Sequence, residues 1–130
     1  MTEYSIASIM RADGPTLTPD TPIRRAAALL VEARVPAAIV LTDDGELAGI
    51  LTQKDCFRPA LHASYYREWK GRVADHMSRE VITVDAQDDV IRAAEMFLAH
   101  PHRIFPVLSG GGVAGLVHRS DVLALLTRIG

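Results

Sequence analysis

The chain has 130 residues, the size of one compact domain, and 48% of them are apolar, which supplies a core and argues against disorder. The net charge is −2 with acids and bases interspersed, so no basic stripe points to nucleic acid or an anionic membrane surface. The single cysteine, Cys56, excludes an internal disulfide, no stretch is long enough to cross a bilayer, and the opening MTEYS is not a signal peptide, so a cytoplasmic location is expected.

Ser5 to Met10 reads as a helical turn, followed by a Gly14-Pro15 loop and a short strand at Thr16-Leu17-Thr18. Thr21 is expected to cap a helix that has Pro22 at its first position. Ile23, Ala26, Ala27 and Leu30 then follow at the spacing of an amphipathic helix. Ala37 to Leu41 and Leu47 to Leu51 read as strands of a hairpin turning at Asp43-Asp44-Gly45, and Thr52 opens another helix. Pro59 is expected to interrupt or restart that helix. Leu61, Tyr65 and Trp69 recur every four residues, which predicts a further amphipathic helix between about 59 and 71. Core or subunit-interface packing is the favoured role of this stripe, against an aromatic ligand platform.

The same order of elements then returns. Val73 to Met77 is a helical turn, Val81 to Val84 a short strand, and Asp88 or Asp89 a helix cap. Val90, Ala93, Ala94 and Phe97 repeat the helical spacing. Ile104 to Leu108 and Val113 to Val117 form a hairpin around Gly110-Gly111-Gly112. A last helix from about His118 to Arg128 is expected to bury Val122, Leu125, Leu126 and Ile129. Met10, Ile23, Ala26-Ala27 and Val40 match Met77, Val90, Ala93-Ala94 and Val107 at a shift of 67. Leu17-Thr18 matches Ile82-Thr83 at 65, and Gly49 and Asp55 match Gly115 and Asp121 at 66. The chain thus reads as an α/β (α+β) module, residues 1–130, made of two β-α-β-β-α copies. The copies span 5–58 and 72–130, joined by a linker helix at 59–71, and are expected to pack around a pseudo-twofold axis with ligand clefts between them.

The segments Gly49 to Asp55 and Gly115 to Asp121 each close a hairpin and open a helix. A glycine in the strand lets another chain or a ligand approach closely. Thr52 can cap the helix or donate to a phosphate at the helix start, where free N–H groups favour an anion. Asp55, three residues on, can accept from adjacent hydroxyls such as a ribose diol. Thr-x-x-Asp is also close to a capping box, which needs no ligand, and either segment alone favours capping. Its recurrence at the same place in both copies favours a ligand role.

On these features the chain resembles a tandem pair of CBS domains, a Bateman module, from Ser5 to Arg128. The resemblance rests on the Thr-rich lead-in strands, the Ala-Ala helices, the Ile-Phe-Pro-Val strand at 104–107 and the paired Gly-to-Asp segments. It implies a regulatory module, not an enzyme, that binds an adenosine-containing ligand (AMP, ADP, ATP or S-adenosylmethionine), with no required cofactor. By the same resemblance Asp55 and Asp121 would take ribose hydroxyls and Thr52 a phosphate or ribose contact. Thr18 and Thr83, with Ala38 and Pro106, would flank the adenine, and Arg103 would reach a phosphate. His118 stands where the family has Thr or Ser; it could donate to a phosphate, more strongly when protonated, or plug the cleft. The resemblance also implies a homodimer, through surfaces carrying Tyr65, Trp69, Leu123 and Leu126, and output through a separate effector protein.

Two other readings stand beside it. One is a ligand-free dimerisation or adaptor module. The other is a metal sensor using His100 and His102, disfavoured because ligand sets need three or four donors and these histidines read as solvent-exposed loop residues. His62 and His76 are too scattered to add to that set. Cys56 beside Asp55 has no accompanying His–acid arrangement and reads as a small buried apolar residue.

Overall fold

The computed structural model describes residues 3–129. It divides into two compact units, Gly14–Val81 and the pair Met1–Asp13 with Ile82–Gly130. The units do not coincide with the sequence copies, because each copy's lead-in segment belongs to the other copy's unit.

In the unit 14–81, β1 (Thr16–Leu17) runs parallel to β2 (Ala37–Leu41), and β2 pairs antiparallel with β3 (Leu47–Thr52). Helix α1 (Ile23–Ala33) lies on this sheet through Ile23, Ala26 and Leu30, the expected apolar spacing, against Ala38, Val40 and Leu51. It starts one residue later than its sequence suggests. Pro22, not Thr21, is the cap, in extended backbone (ψ 137°) and without a side-chain bond. The Thr21 hydroxyl is instead within 3.0 Å of the Thr18 hydroxyl, in a turn that ends β1.

After a 3₁₀ turn at Lys54–Cys56, helix α2 covers Phe57–Tyr66. Pro59 falls in its first turn, where an N–H would have had no helical partner, so the helix starts just ahead of the proline and runs through it. The helix stops at Arg67, in the left-handed region (φ 56°), and therefore does not reach Trp69. Pro59 is the residue α2 buries, while Leu61 and Tyr65 are 56% and 78% exposed. Trp69 packs on the core of this unit instead of continuing their stripe. Helix α3 (Val73–His76) completes the unit, burying Val73 beside Met77.

The other unit repeats the plan with β4 (Val84–Asp85), α4 (Val90–Ala99), β5 (Ile104–Ser109), β6 (Gly112–His118) and α5 (Arg119–Ile129). Asp89 caps α4, its carboxylate accepting from the Ile91 N–H at 2.8 Å. Phe105, fully buried, stacks on Phe97 at 4.4 Å within the core. The short strand lies later than the expected Val81 to Val84. Val84 pairs with Val107 as Leu17 pairs with Val40, so the shift of 67 holds here too. The buried residue sets strand register, and it is Val84, not Ile82 or Thr83. Thr83 is therefore not the counterpart of Thr18. On α5, Val122 and Leu125 are buried and Leu126 packs against the core, but Ile129 is 39% exposed at the helix end.

The exchanged segments attach in the same way. Ile6 and Ala7 donate to the carbonyls of Asp88 and Ala86, as Val73 and Ala74 donate to those of Thr21 and Pro19. Arg11 and Leu116 exchange backbone bonds of 2.7 and 2.8 Å, and Ser78 and Ile50 exchange bonds of 2.9 and 3.0 Å. These bridges explain the two strand glycines. A Cβ on Gly115 would sit 2.5 Å from the Arg11 carbonyl oxygen, and one on Gly49 2.5 Å from that of Ser78. The close neighbour at each glycine is the chain itself. Gly49→Ala and Gly115→Ala should each lose about 1–3 kcal/mol in urea unfolding, with Gly112→Ala, whose Cβ would meet only the Ser109 carbonyl oxygen at 4.0 Å, near neutral. Equal stability of all three would show that the bridges do not hold.

Candidate functional site

In the unit 14–81 the strand-to-helix corner is fixed by main-chain bonds. The Gln53 N–H donates to the Pro36 carbonyl at 2.9 Å, and the Gln53 side chain donates to the Val35 carbonyl at 2.9 Å. Thr52 and Asp55 then cap each other. The Asp55 N–H donates to Thr52 Oγ1 at 3.1 Å, and Asp55 Oδ2 accepts from the Thr52 N–H at 2.9 Å. This is the reciprocal geometry of a capping box. It leaves the Thr52 hydroxyl hydrogen free to donate and Asp55 Oδ1 without a partner among the described residues. Both side chains are half-buried.

Cys56 follows, buried, with its Sγ 3.5 Å from the Thr52 carbonyl. Burial, with the Asp55 charge adding to it, pushes the thiol up to about 11. A thiolate nucleophile is therefore disfavoured at this position.

The equivalent corner of the other unit is built differently. The Arg119 N–H donates to the Arg103 carbonyl at 2.8 Å, matching the Gln53–Pro36 bond, so Arg103 lies at the helix start. Asp121 makes no capping box. Its two carboxylate oxygens accept from Arg11, Oδ2 from Nε at 2.8 Å and Oδ1 from Nη2 at 2.9 Å. The pair is partly exposed, 47% for the arginine side chain and 29% for the carboxylate. The hydrogen bond from Arg11 holds the Asp121 carboxyl below the usual carboxylate range, and the same bond raises Arg11.

His118 closes β6 opposite Ile104 and is 6% exposed. Burial, and secondarily the Arg11 charge, lowers its proton affinity, so it is held neutral and is not the protonated donor the sequence allows for.

The remaining expected contacts separate by sheet face. Ala38 is fully buried on the face turned to α1, within the core of its unit. By the shift of 67, the counterpart of Pro106 is Ile39, on the opposite face of β2, where it is 6% exposed. Thr18 is exposed just after β1, and Thr83 is half-buried just before β4. Sequence reasoning passed over Ile39 and Arg11, though applying the shift to the residue after Met10 and Met77 sets Arg11 against Ser78. His100 and His102 are half-buried aromatic packing, not solvent-exposed loop residues. His102 stacks on Phe105 at 5.4 Å, and His100 meets His102 edge-on at 5.6 Å. Among the described residues, no group of three or more His, Cys, Asp or Glu is placed to hold a metal ion. No helix among them is long and apolar enough to cross a membrane.

The profile of the CBS domain matches residues 6–61 and 73–128, most of the chain. The chain belongs to the CBS domain family. This CBS pair is 30% identical over 119 residues to inosine-5'-monophosphate dehydrogenase of Thermoplasma acidophilum, covering 89% of the chain but 22% of that enzyme. It is 26% identical to the CBS domain-containing protein YhcV of Bacillus subtilis, covering 91% of the chain and 82% of the relative. It spans 22% to 42% of the length of three other curated relatives' chains, the dehydrogenase among them. Its fold matches crystallised CBSX2 in complex with AMP (TM-score 0.83, 24% identity, 97% and 98% of the two chains). It also matches the CBS domain pair of MJ0100 in complex with 5'-methylthioadenosine and S-adenosyl-L-methionine (TM-score 0.83, 23% identity, 98% of each chain).

Two checks follow from the electrostatics of these corners. With a thiol raised to about 11, only about one Cys56 in a thousand is ionised near pH 8, so it should react with a disulfide reagent far more slowly in the native protein than in denaturant. Equal rates would contradict the buried, protonated thiol. For His118, a depressed folded value means the unfolded chain binds more protons below the ordinary 6.5, so stability falls as pH drops through that value. Between about pH 7.5 and 5.5, wild type should lose more melting temperature than His118→Thr. Parallel losses would show that His118 is not held neutral.

Proposed function

We propose that this CBS pair is a regulatory module that binds an adenosine-containing ligand (AMP, ADP, ATP or S-adenosylmethionine) at the Thr52–Asp55 corner. The observation that carries this reading is the half-buried Asp55, held in orientation by the Thr52 N–H yet keeping one oxygen free, on the first turn after a hairpin strand. A ribose diol needs such an oriented acceptor. The Thr52 hydroxyl beside it can donate to a ribose or phosphate oxygen. The structural neighbours in complex with AMP and with S-adenosyl-L-methionine support the ligand class. Thr18 and Ile39 would contribute to the purine contacts in this copy; in the other, Pro106 and Thr83, which is not the register counterpart of Thr18, would do so, with Arg103 toward a phosphate.

Binding would act by favouring one conformation or oligomeric state, and only by as much as the ligand's affinity differs between the two. We place the module in the cytoplasm, as a homodimer reporting to a separate effector protein. Phe57, Leu61 and Tyr65 on α2 and Leu123 on α5 are the exposed apolar residues suited to such contacts.

A second reading, a ligand-free adaptor, is favoured by one observation: the Thr52–Asp55 capping box is complete without any ligand. Calorimetry with AMP, ADP, ATP and S-adenosylmethionine separates the two. At least one should bind wild type and bind Asp55→Ala at least tenfold more weakly, a loss of about 1.4 kcal/mol or more. Circular dichroism should show the variant folded, since losing the cap costs only about 1 kcal/mol of stability. If wild type binds none of the four, the sensing reading loses to the adaptor one.

A further inference from the structure

We propose that Arg11 sets which copy takes the ligand first: paired with Asp121 it occupies both oxygens of the second acid and weakens that corner, leaving the tighter site of each chain at Asp55. This rests on the nucleotide-binding reading above and adds its regulation.

A carboxylate holds a diol by accepting hydrogen bonds, and both Asp121 oxygens already accept from Arg11, at 2.8 and 2.9 Å. The two parallel bonds form the fork geometry that makes arginine–carboxylate pairs directional. Asp55 commits one oxygen, to a backbone N–H. Arg11 is also delivered to its place by the main chain. Its N–H and C=O bond Leu116, and Gly115 leaves room for its carbonyl. The equivalent bridge in the other unit presents Ser78, which is uncharged and whose hydroxyl turns to the Glu80 carbonyl at 3.3 Å. Of the two corners, therefore, one carries a built-in cation for its acid and the other does not. His118, buried at the end of β6, replaces the hydroxyl residue of the Asp55 corner and narrows the chemistry of the Asp121 one further.

Calorimetry with whichever of AMP, ADP, ATP and S-adenosylmethionine binds should give a tighter site at Asp55 in wild type, weakened at least tenfold by Asp55→Ala, and a weaker one at Asp121. Arg11→Ala keeps the backbone bridge and should strengthen the second site by up to about fivefold. The double variant Arg11→Ala with Asp121→Ala should lose that second site. Two equal sites in wild type, or a second site unchanged in Arg11→Ala, would overturn the proposal and leave the nucleotide reading standing. A readout that needs no nucleotide is the Arg11 Nε–H resonance, which should exchange slowly in wild type and become that of a free arginine in Asp121→Asn. A free-arginine signal in ligand-free wild type would overturn the latch whatever calorimetry gives. If neither wild type nor any variant binds AMP, ADP, ATP or S-adenosylmethionine, the nucleotide reading falls and this proposal with it, even where the Arg11 resonance stays protected.

Discussion

The structure depends on two short backbone bridges, Arg11 to Leu116 and Ser78 to Ile50, each a reciprocal pair of main-chain bonds between segments far apart in sequence. Through them the edge strand of each hairpin pairs with the lead-in stretch of the other sequence copy. The bridges require strand positions without a Cβ, which Gly115 and Gly49 supply. They also make each sequence copy incomplete by itself. Ile6, wholly buried, belongs to the core that holds Val84, Val90, Phe105 and Val117, while Val73 and Met77 belong to that of Leu17, Leu30 and Leu51. Deleting the first dozen residues would therefore strip the core of the second copy, not the first.

The same bridges fix what stands beside each acid, and the energetic scales differ. A Cβ forced against a carbonyl oxygen costs about 1–3 kcal/mol, whereas a partly exposed ion pair contributes between nothing and about 1 kcal/mol. With the arginine side chain 47% exposed, Arg11–Asp121 adds little to folding. The backbone at residue 11 is constrained by the fold, but the identity of its side chain is not. That freedom lets the duplicated positions diverge, one to serine and one to arginine, without cost to the core.

Much of this was legible in the residues. Apolar spacing placed α1, α4 and both hairpins, because side chains that face a sheet must recur with the helical period. The failures lie where a tertiary constraint outranked a local signal. Thr21-Pro22 reads as cap and first turn, yet the hydroxyl is taken up by the Thr18 turn and the helix waits for Ile23. Leu61, Tyr65 and Trp69 share a period but not a helix, since the left-handed Arg67 ends α2. Ala38 was set beside Pro106 although strand alternation puts them on opposite faces, and only the register with Leu17 and Val84 shows it. The paired glycines announced a close approach. That the approaching group was the lead-in of the other copy, bringing Arg11 with it, is a long-range pairing that a single sequence does not display.

The charges around the Asp121 corner form a coupled set, and the order of their effects decides its behaviour. Arg11 lowers both Asp121 and His118, the first through a direct hydrogen bond and the second through charge alone, while Asp121 pulls His118 the other way. Burial is the larger influence on His118. Swinging Arg11 away from Asp121 would therefore remove the weaker of the two effects that keep the imidazole neutral and leave the stronger. The opened corner would then present a bare carboxylate next to an uncharged imidazole, with Arg103 anchored by its carbonyl at the helix start. Its one gain in acceptor capacity is at Asp121, where a diol would bind. On the proposed reading, control by Arg11 would act on the sugar end of a nucleoside ligand and would leave the phosphate end to Arg103.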